Sequence, residues 1–237
     1  MDATVIAVVA LLLLLLVAFL ATRGRAVSRG STVLLVGPCG AGKTAMFVQL
    51  RDGRDIPTHM SQAANEDTFA VSVARQDGKP TPLSPLHVVD CPGAPQLQPQ
   101  MLTRIGAAGV IVCVLDASDP LTHAKLAAGV LYEVFTTDAM RRLRVPVLIA
   151  CNKSDSAKAM RAVQLRGLIE KEIDRIQHSR SSMQDLSDKT QGTRVSPVGV
   201  PFTFKEAPCI EVDLADCCAK KPGLEPVLDF IGKHLKL

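Results

Sequence analysis

Residues 31–44, Ser-Thr-Val-Leu-Leu-Val-Gly-Pro-Cys-Gly-Ala-Gly-Lys-Thr, indicate the fold class. The apolar run Thr32–Val36 predicts a buried strand, and the residues after Gly42 predict a helix. Between them lies the pattern G-x-x-x-x-G-K-[ST], whose backbone amides and helix N-terminus bind phosphate in nucleotide-binding proteins. Lys43 is expected to reach the β- and γ-phosphates, and Thr44 to offer its hydroxyl to Mg²⁺. The predicted phosphate loop consists of Gly37, Pro38, Cys39, Gly40, Ala41, Gly42, Lys43, Thr44 and Ala45.

Short apolar runs and longer helical stretches alternate along the rest of the chain. The predicted strands are 32–36, 68–74, 86–90, 110–116, 145–152 and 210–214. The predicted helices are 43–51, 97–107, 121–143, 157–177 and 223–236. This alternation predicts an α/β fold, with a six-stranded, mostly parallel sheet and helices on both faces. Asp77-Gly78 favours a turn that joins the second and third strands as a hairpin, which would place one antiparallel strand at an edge.

One polar stretch interrupts the alternation. Residues 178–200 are rich in Ser, Thr, Gln and charged residues. They predict a mobile loop inserted before the last strand. The expected organisation is therefore a single domain over residues 31–237, with a polar insertion at about 178–205.

The N-terminal segment has a different composition. Residues 3–21 carry no charge and include six consecutive leucines, Leu11–Leu16, which is about the length needed to cross a bilayer as a helix. A cleaved signal peptide is the alternative, but an acid, Asp2, precedes the apolar stretch where a signal peptide would have basic residues. Arginines at positions 23, 25 and 29 follow, and such residues stay on the cytosolic side. Residues 1–30 are therefore predicted to be a transmembrane signal anchor with a basic juxtamembrane segment, followed by a cytosolic domain.

The overall composition excludes several function classes. The net charge of +4, from 27 basic and 23 acidic residues, is too small and too scattered to predict nucleic-acid binding. An aromatic content of 3% with no Trp argues against stacking on single-stranded nucleic acid. The seven cysteines form no C-x-x-C pair, and this pattern indicates reduced thiols in preference to disulfide bonds or a zinc site.

Two segments predict the base that is bound. Asn152-Lys153-Ser154-Asp155 follows an apolar run and resembles the N-K-x-D guanine motif of small GTPases. A carboxylate at Asp155 can accept the N–H groups of guanine N1 and N2, a pair that adenine lacks. Cys218-Ala219-Lys220 resembles the S-A-K element, in which the Ala219 amide would meet the guanine oxygen and Lys220 would pack over the base.

Two further segments predict contacts with Mg²⁺ and the γ-phosphate. Asp90-Cys91-Pro92-Gly93 resembles the D-x-x-G motif. In that motif Asp90 would bind Mg²⁺ through water, and Gly93 would donate its amide to the γ-phosphate. In the first switch, Thr58 is the candidate ligand of Mg²⁺, and Ser61 is the alternative.

These motifs together resemble the Ras and Arf superfamily of GTPases over residues 31–237. Within it, the chain looks like the family of signal recognition particle receptor β subunits. Shared features are the N-terminal span, Arg54-Asp55 before Thr58, the D-x-P-G second switch, the 202–208 run Phe-Thr-Phe-Lys-Glu-Ala-Pro, and Cys-Ala-Lys in place of Ser-Ala-Lys.

This resemblance implies a P-loop GTPase fold that binds GTP and Mg²⁺ in the endoplasmic reticulum membrane. It also implies one direct protein partner, the receptor's α subunit, which the β subunit would recruit for co-translational targeting. Contact with the signal recognition particle and the ribosome would then be indirect, while residues 3–21 would contact the lipid bilayer.

One position departs from the pattern of active GTPases. Their second switch places Gln or His directly after the glycine to orient the attacking water, whereas this chain has Ala94 followed by Pro95. We therefore expect tight GTP binding with slow or absent intrinsic hydrolysis, and we assign no catalytic residue. An Arf- or Sar-like trafficking GTPase is the alternative function, and a membrane tether that needs no nucleotide is a third.

Overall fold

The computed structural model describes residues 29–59, 61–74, 80–82, 85–184, 194–197, 199–220 and 223–235. The predicted membrane span at 3–21 and the predicted turn at 76–79 lie outside these residues. Within the described part of the chain, no helix has both the length and the apolar character needed to cross a bilayer.

A six-stranded sheet forms the centre of the domain. The eight described strands are β1 (Thr32–Val36), β2 (Asn65–Phe69), β3 (Ser72–Ala74), β4 (Pro80–Pro82), β5 (Leu86–Asp90), β6 (Ala108–Asp116), β7 (Val147–Asn152) and β8 (Val212–Asp216). The sheet has the order β2-β5-β1-β6-β7-β8. All neighbours are parallel except β2, which runs antiparallel to β5 at the edge. The predicted strand number and the single antiparallel edge are confirmed.

Helices cover both faces of this sheet, as predicted. The described α-helices are α1 (Lys43–Asp52), α2 (Gln98–Arg104), α3 (Pro120–Thr136), α4 (Asp138–Leu143), α5 (Ala162–Gln184) and α6 (Glu225–Leu235). Short 3₁₀ helices lie at Pro95–Leu97, Ile105–Ala107 and Phe204–Glu206. Leu34 and Val36 of β1 pack under α2 to α5, whereas Val33 and Leu35 pack under α1 and α6. This alternation follows from the two-residue period of a strand.

The predicted strand at 68–74 is wrong in its bounds. The main sheet uses Asn65–Phe69, and Ser72–Ala74 instead pairs with Pro80–Pro82 in a separate two-stranded ladder. Proline has no backbone N–H to donate, so Pro80 and Pro82 suit a short separate ladder better than a strand within the main sheet.

The predicted helix at 121–143 is two helices. Thr137 is extended, with φ −72° and ψ 144°, and ends α3. Its side-chain oxygen accepts a hydrogen bond from the Met140 amide at 3.2 Å and thereby caps α4. A threonine cap of this kind starts a new helix because it satisfies an amide that the first turn leaves free.

The polar insertion begins later than predicted. Residues 178–184, expected to be loop, continue α5, while 185–193 lie outside the described residues. The far end of the insertion is anchored: buried Ser196 accepts a hydrogen bond from buried Gln177 at 2.6 Å, and Phe202 and Phe204 enter the core.

Candidate nucleotide site

The carboxyl ends of the parallel strands surround one cavity of about 680 Å³. This is the edge at which open α/β sheets bind ligands. The predicted site residues that line it are Cys39, Gly40, Gly42, Lys43, Thr44, Ala45, Thr58, Gly93, Asn152, Lys153, Asp155, Cys218, Ala219 and Lys220. The structure thus brings together segments that are more than 170 residues apart in sequence. Gly37, Pro38, Ala41 and Asp90 belong to the same segments but are not part of the cavity lining, and Ala41 and Asp90 are fully buried.

The phosphate loop has a backbone that requires glycine at two positions. Gly37 has φ 134°, and a Cβ there would lie 2.1 Å from the Val114 carbonyl oxygen. Gly42 has φ 94° and immediately precedes α1, and a Cβ there would lie 2.3 Å from the side-chain nitrogen of Asn152. The loop therefore packs directly on β6 and on the guanine motif, and it presents the N-terminus of α1 to the cavity, where a helix favours anions.

Lys43 is the cation of this loop. Its side chain is 6% exposed, and its Nζ donates to the Pro38 carbonyl at 2.8 Å. Burial lowers the pKa of Lys43, and the charge of nearby Asp90 opposes that shift. A buried ammonium facing the cavity suits a phosphate, which would supply the compensating charge.

Asn152 holds the phosphate loop to the base-recognition segments. Its Nδ2 donates to the Ala41 carbonyl at 2.8 Å, and its Oδ1 accepts from the Ala219 amide at 2.9 Å. The residue is 2% exposed. Because both amide atoms are used within the protein, Asn152 positions its neighbours, and any base contact falls to other residues.

Lys153 and Asp116 form an ion pair that sequence reasoning missed. Lys153 Nζ lies 2.5 Å from Asp116 Oδ2 and 3.1 Å from the Gly40 carbonyl oxygen. Burial raises the pKa of Asp116, but hydrogen bonds from Lys153 and Ser118 outweigh it and leave that pKa below its usual value. Asp116 ends β6 directly opposite Asn152 of β7. The only hint of this ion pair in the sequence was an acidic residue at the end of the predicted strand 110–116.

Asp155 stands exposed at the cavity rim, as a residue that selects a base requires. The Cys218 thiol donates to its Oδ1 at 3.2 Å. Partial burial raises the pKa of Cys218, and the adjacent Asp155 carboxylate adds to that effect. The thiol therefore stays protonated and can hold the carboxylate. Lys220 lies 3.8 Å from Asp55 across the cavity mouth.

Asp90 lies buried behind the opposite half of the cavity, in contact with Thr44 of the cavity lining. Its Oδ2 accepts from the Thr44 hydroxyl at 2.7 Å and from Asn65 Nδ2 at 3.1 Å. Its Oδ1 is buried and has no hydrogen-bond partner within the described residues. Burial raises the pKa of Asp90, opposed by Thr44, Asn65 and Lys43. A buried carboxylate with an unused oxygen beside a hydroxyl is the kind of oxygen donor set that Mg²⁺ binds.

The first switch contributes Ser61 and Thr58 to the cavity lining. The Ser61 hydroxyl lies 3.1 Å from the Thr44 hydroxyl and also accepts from Asn65. Thr58 is exposed. Of the two candidates, Ser61 is therefore the one that touches the predicted metal ligand in this arrangement. Asn65, at the start of β2, was not predicted, and no motif marks it.

The second switch passes directly over the phosphate loop. A Cβ at Gly93 would lie 2.6 Å from Lys43 Nζ and 2.7 Å from the Cys39 amide nitrogen. Ala94 is extended, with φ −69° and ψ 132°, and precedes the 3₁₀ helix Pro95–Leu97. The nearby Gln96 is exposed within this helix. The position that follows Gly93 therefore carries only a methyl group.

Comparisons with known proteins agree with these motifs. A family model for the signal recognition particle receptor beta subunit matches residues 28–209. The human signal recognition particle receptor subunit beta is 33% identical over 220 residues, which cover 91% of this chain and 77% of that protein.

Two solved structures share the fold. A structure of the mammalian SRP receptor superposes with a TM-score of 0.69 at 27% identity, covering 85% of this chain and 98% of that one. A complex of SRb-GTP with SRX from Chaetomium thermophilum gives 0.68 at 22% identity, covering 86% and 99%.

Proposed function

The chain belongs to the signal recognition particle receptor β-subunit family, and from this premise we propose that it is a membrane-anchored, GTP-binding subunit of that receptor. In this role it recruits the α subunit to the endoplasmic reticulum membrane for co-translational targeting. The receptor role is supported by the family match, and GTP binding is supported by the Asn152 bridge, which joins the phosphate loop to the base-recognition segments in one cavity.

The residues divide between the parts of GTP. The phosphate loop and Lys43 hold the phosphates, Asp155 accepts the two guanine N–H groups, and the Ala219 segment lies against the base. Mg²⁺ would bind Thr44, a first-switch hydroxyl and, through water, Asp90, and it would neutralise the phosphate charge. Ala94 supplies no group that could orient water, so the GTP form is expected to persist.

The GTP form is also the form expected to bind the partner. A γ-phosphate that contacts Gly93 and the first switch would order both segments, and ordered switches create a binding surface. One of the similar solved structures is a complex of SRb-GTP with SRX. Residues 3–21 would hold this surface at the membrane.

Purified full-length protein in detergent, loaded with GTP or GDP, tests this function. We expect purified receptor α subunit to be retained at least about tenfold better by the GTP form, an effect of about 1.4 kcal/mol. Gly93→Ala should abolish the difference because its methyl group collides with the phosphate loop. Gly106→Ala is the matched control, since a Cβ there meets nothing within 4 Å.

Equal retention by both nucleotide forms of the parent protein would contradict the switch. Retention of purified Arf-type coat proteins in place of the α subunit would favour the alternative trafficking function.

A further inference from the structure

The point at which the chain enters the domain lies opposite the nucleotide site. Gly30 lies two residues before the start of β1, and β1 runs from this end of the sheet to the phosphate loop. Gly30 is packed tightly, since a Cβ there would lie 1.8 Å from the Ala107 carbonyl oxygen. The neighbouring Gly109 backbone and the Leu235 side chain close the same corner. The entry point is therefore fixed on the domain.

The distance from this corner to the membrane is limited by chain length. Under the proposed anchoring through residues 3–21, only residues 22–29 connect the span to Gly30. Eight extended residues reach at most about 28 Å. The face of the domain around Gly30 therefore remains within that distance of the bilayer. The nucleotide cavity lies at the opposite end of the sheet, where the parallel strands have their carboxyl ends.

The face around Gly30 is basic. The helix α4 packs against the Ile105–Ala107 turn that carries the Gly30 contact, and α4 ends in exposed Arg141 and Arg142, with exposed Arg144 directly after it. We call the surface formed by Arg141, Arg142, Arg144 and Ile210 the basic pole.

Hydrogen bonds leave the charge of the basic pole largely intact. Arg141 and Arg144 donate to the carbonyls of Arg194 and Cys209 at 3.2 and 3.3 Å, and a carbonyl does not neutralise an arginine. Glu211, the acid beside Ile210, is already paired with Lys233 at 2.6 Å.

An exposed apolar side chain lies within this basic surface. Ile210 is 50% exposed, and its amide donates to the Arg144 carbonyl at 3.1 Å, so the two residues are adjacent. Arginines next to an exposed apolar side chain are a combination that favours the interface of an anionic bilayer.

We propose that the basic pole binds the anionic phospholipid surface beside the anchor and thereby orients the nucleotide cavity towards the cytosol. The proposal rests on the proposed membrane anchoring. At physiological salt, electrostatic attraction between the basic pole and the bilayer acts over about 8 Å. The linker is long enough to let the basic pole come this close to the bilayer. Removal of one arginine is expected to lower the ratio of membrane-bound to unbound basic pole by about fivefold.

The absence of tryptophan from the chain allows a direct test. Full-length Ile210→Trp, reconstituted in nanodiscs that contain phosphatidylserine, is expected to show blue-shifted emission and strong quenching by brominated lipids. Leu121→Trp is the matched control, because Leu121 is 71% exposed at the start of α3, on the side of the sheet where the nucleotide binds. Its fluorescence should not be quenched.

Three changes should reverse the quenching at position 210. They are nanodiscs of phosphatidylcholine alone, salt at about 1 M, where screening shortens to about 3 Å, and the added double substitution Arg141→Gln with Arg142→Gln. Retained guanine-nucleotide binding shows that the substituted proteins are folded. If the Ile210→Trp protein migrates with nanodiscs but its indole is unquenched, or is quenched equally in neutral lipid, the orientation is overturned. If it does not migrate with nanodiscs, the anchor and this proposal fail together.

Discussion

The two halves of the nucleotide cavity are built differently. On the guanine side, Asn152, Lys153 and Cys218 all hold neighbouring segments by hydrogen bonds between protein atoms. On the γ-phosphate side, Asp90 has an unused buried oxygen within the described chain, and Ala94 ends in a methyl group. Hydrogen bonds between protein atoms also hold Asp90 to Thr44 and Asn65 on the γ-phosphate side, but the other Asp90 oxygen is left for a water bound to Mg²⁺. From this contrast we expect the protein to retain guanine nucleotide and to hydrolyse GTP slowly.

Substitution of Asp155 should have the largest effect on the guanine side. Asp155→Asn replaces an acceptor of two N–H groups with an amide that presents a donor. We expect GTP affinity to fall by about 10²–10⁴-fold, since two charge-assisted hydrogen bonds are lost, and affinity for xanthosine triphosphate to rise. Isothermal titration with both nucleotides measures the change. Asp119→Asn, at an exposed acid close by, is the matched control and should bind like the parent.

If neither the parent nor Asp155→Asn binds either nucleotide, the site has no role in binding and the third function, a tether without nucleotide, gains support.

Removal of the Asn152 bridge should have the next largest effect. Asn152→Ala leaves the Ala41 carbonyl and the Ala219 amide without partners, at a cost of about 1–3 kcal/mol. GDP and GTP affinities should fall together by about 10–100-fold, because the bridge serves both nucleotides equally. Asn65→Ala, which removes a hydrogen bond to Asp90 on the other side, should leave GDP affinity near that of the parent. A loss confined to GTP in Asn152→Ala would contradict the division into two halves.

Substitution of Ala94 tests the γ-phosphate side. Ala94→Gln supplies an amide that can orient water, and single-turnover hydrolysis of bound GTP should accelerate by about tenfold. This is below the ~10²–10⁴-fold typical of a well-placed group, because Pro95 restricts the backbone. Ala94→Met, of similar length but without the amide, should hydrolyse GTP at the parent rate. A parent rate already equal to that of glutamine-containing GTPases would show that Ala94 does not limit turnover.

Substitution of Cys218 should have the smallest effect on nucleotide binding. Cys218→Ala removes one hydrogen bond to the Asp155 carboxylate and should speed GDP release by about 2–10-fold, a modest effect because a thiol is a weak donor. Cys218→Ser should release GDP no faster than the parent, since a hydroxyl is the stronger donor. Stopped-flow release of a fluorescent GDP measures both variants. Equal release by Ala and Ser variants would show that the thiol does not position Asp155.

The sequence predicts the parts of the fold that depend on local pattern. The phosphate loop, the guanine motif and the carboxyl ends of β1, β5, β6 and β7 each combine a fixed spacing with an apolar run, so their positions follow from the chain alone. The helix break at Thr137 does not follow from local pattern, because it depends on the hydrogen bond that caps α4. The later end of α5 does not follow from it either, because the segment after α5 is held by the packing of Phe202 and Phe204 in the core.

The site shows the same limit. Asp116 pairs with Lys153, 37 residues away, and Asn65 bonds to Asp90, 25 residues away. No spacing within either segment predicts those contacts. The choice between Thr58 and Ser61 also depends on the path of a loop, which sequence pattern does not determine. The residues that the motifs assign to ligand contact were thus easier to predict than the residues that hold them in place.

The fixed entry at Gly30 also has a mechanical consequence. A pull on the proposed anchor would load β1 at its first residue, and β1 is hydrogen-bonded along both edges, to β5 and β6. Force along such a strand acts in shear on all of these bonds at once instead of breaking them one by one. Because β1 ends at Val36, immediately before the phosphate loop, tension at the membrane would reach the nucleotide site through a single strand about 16 Å long.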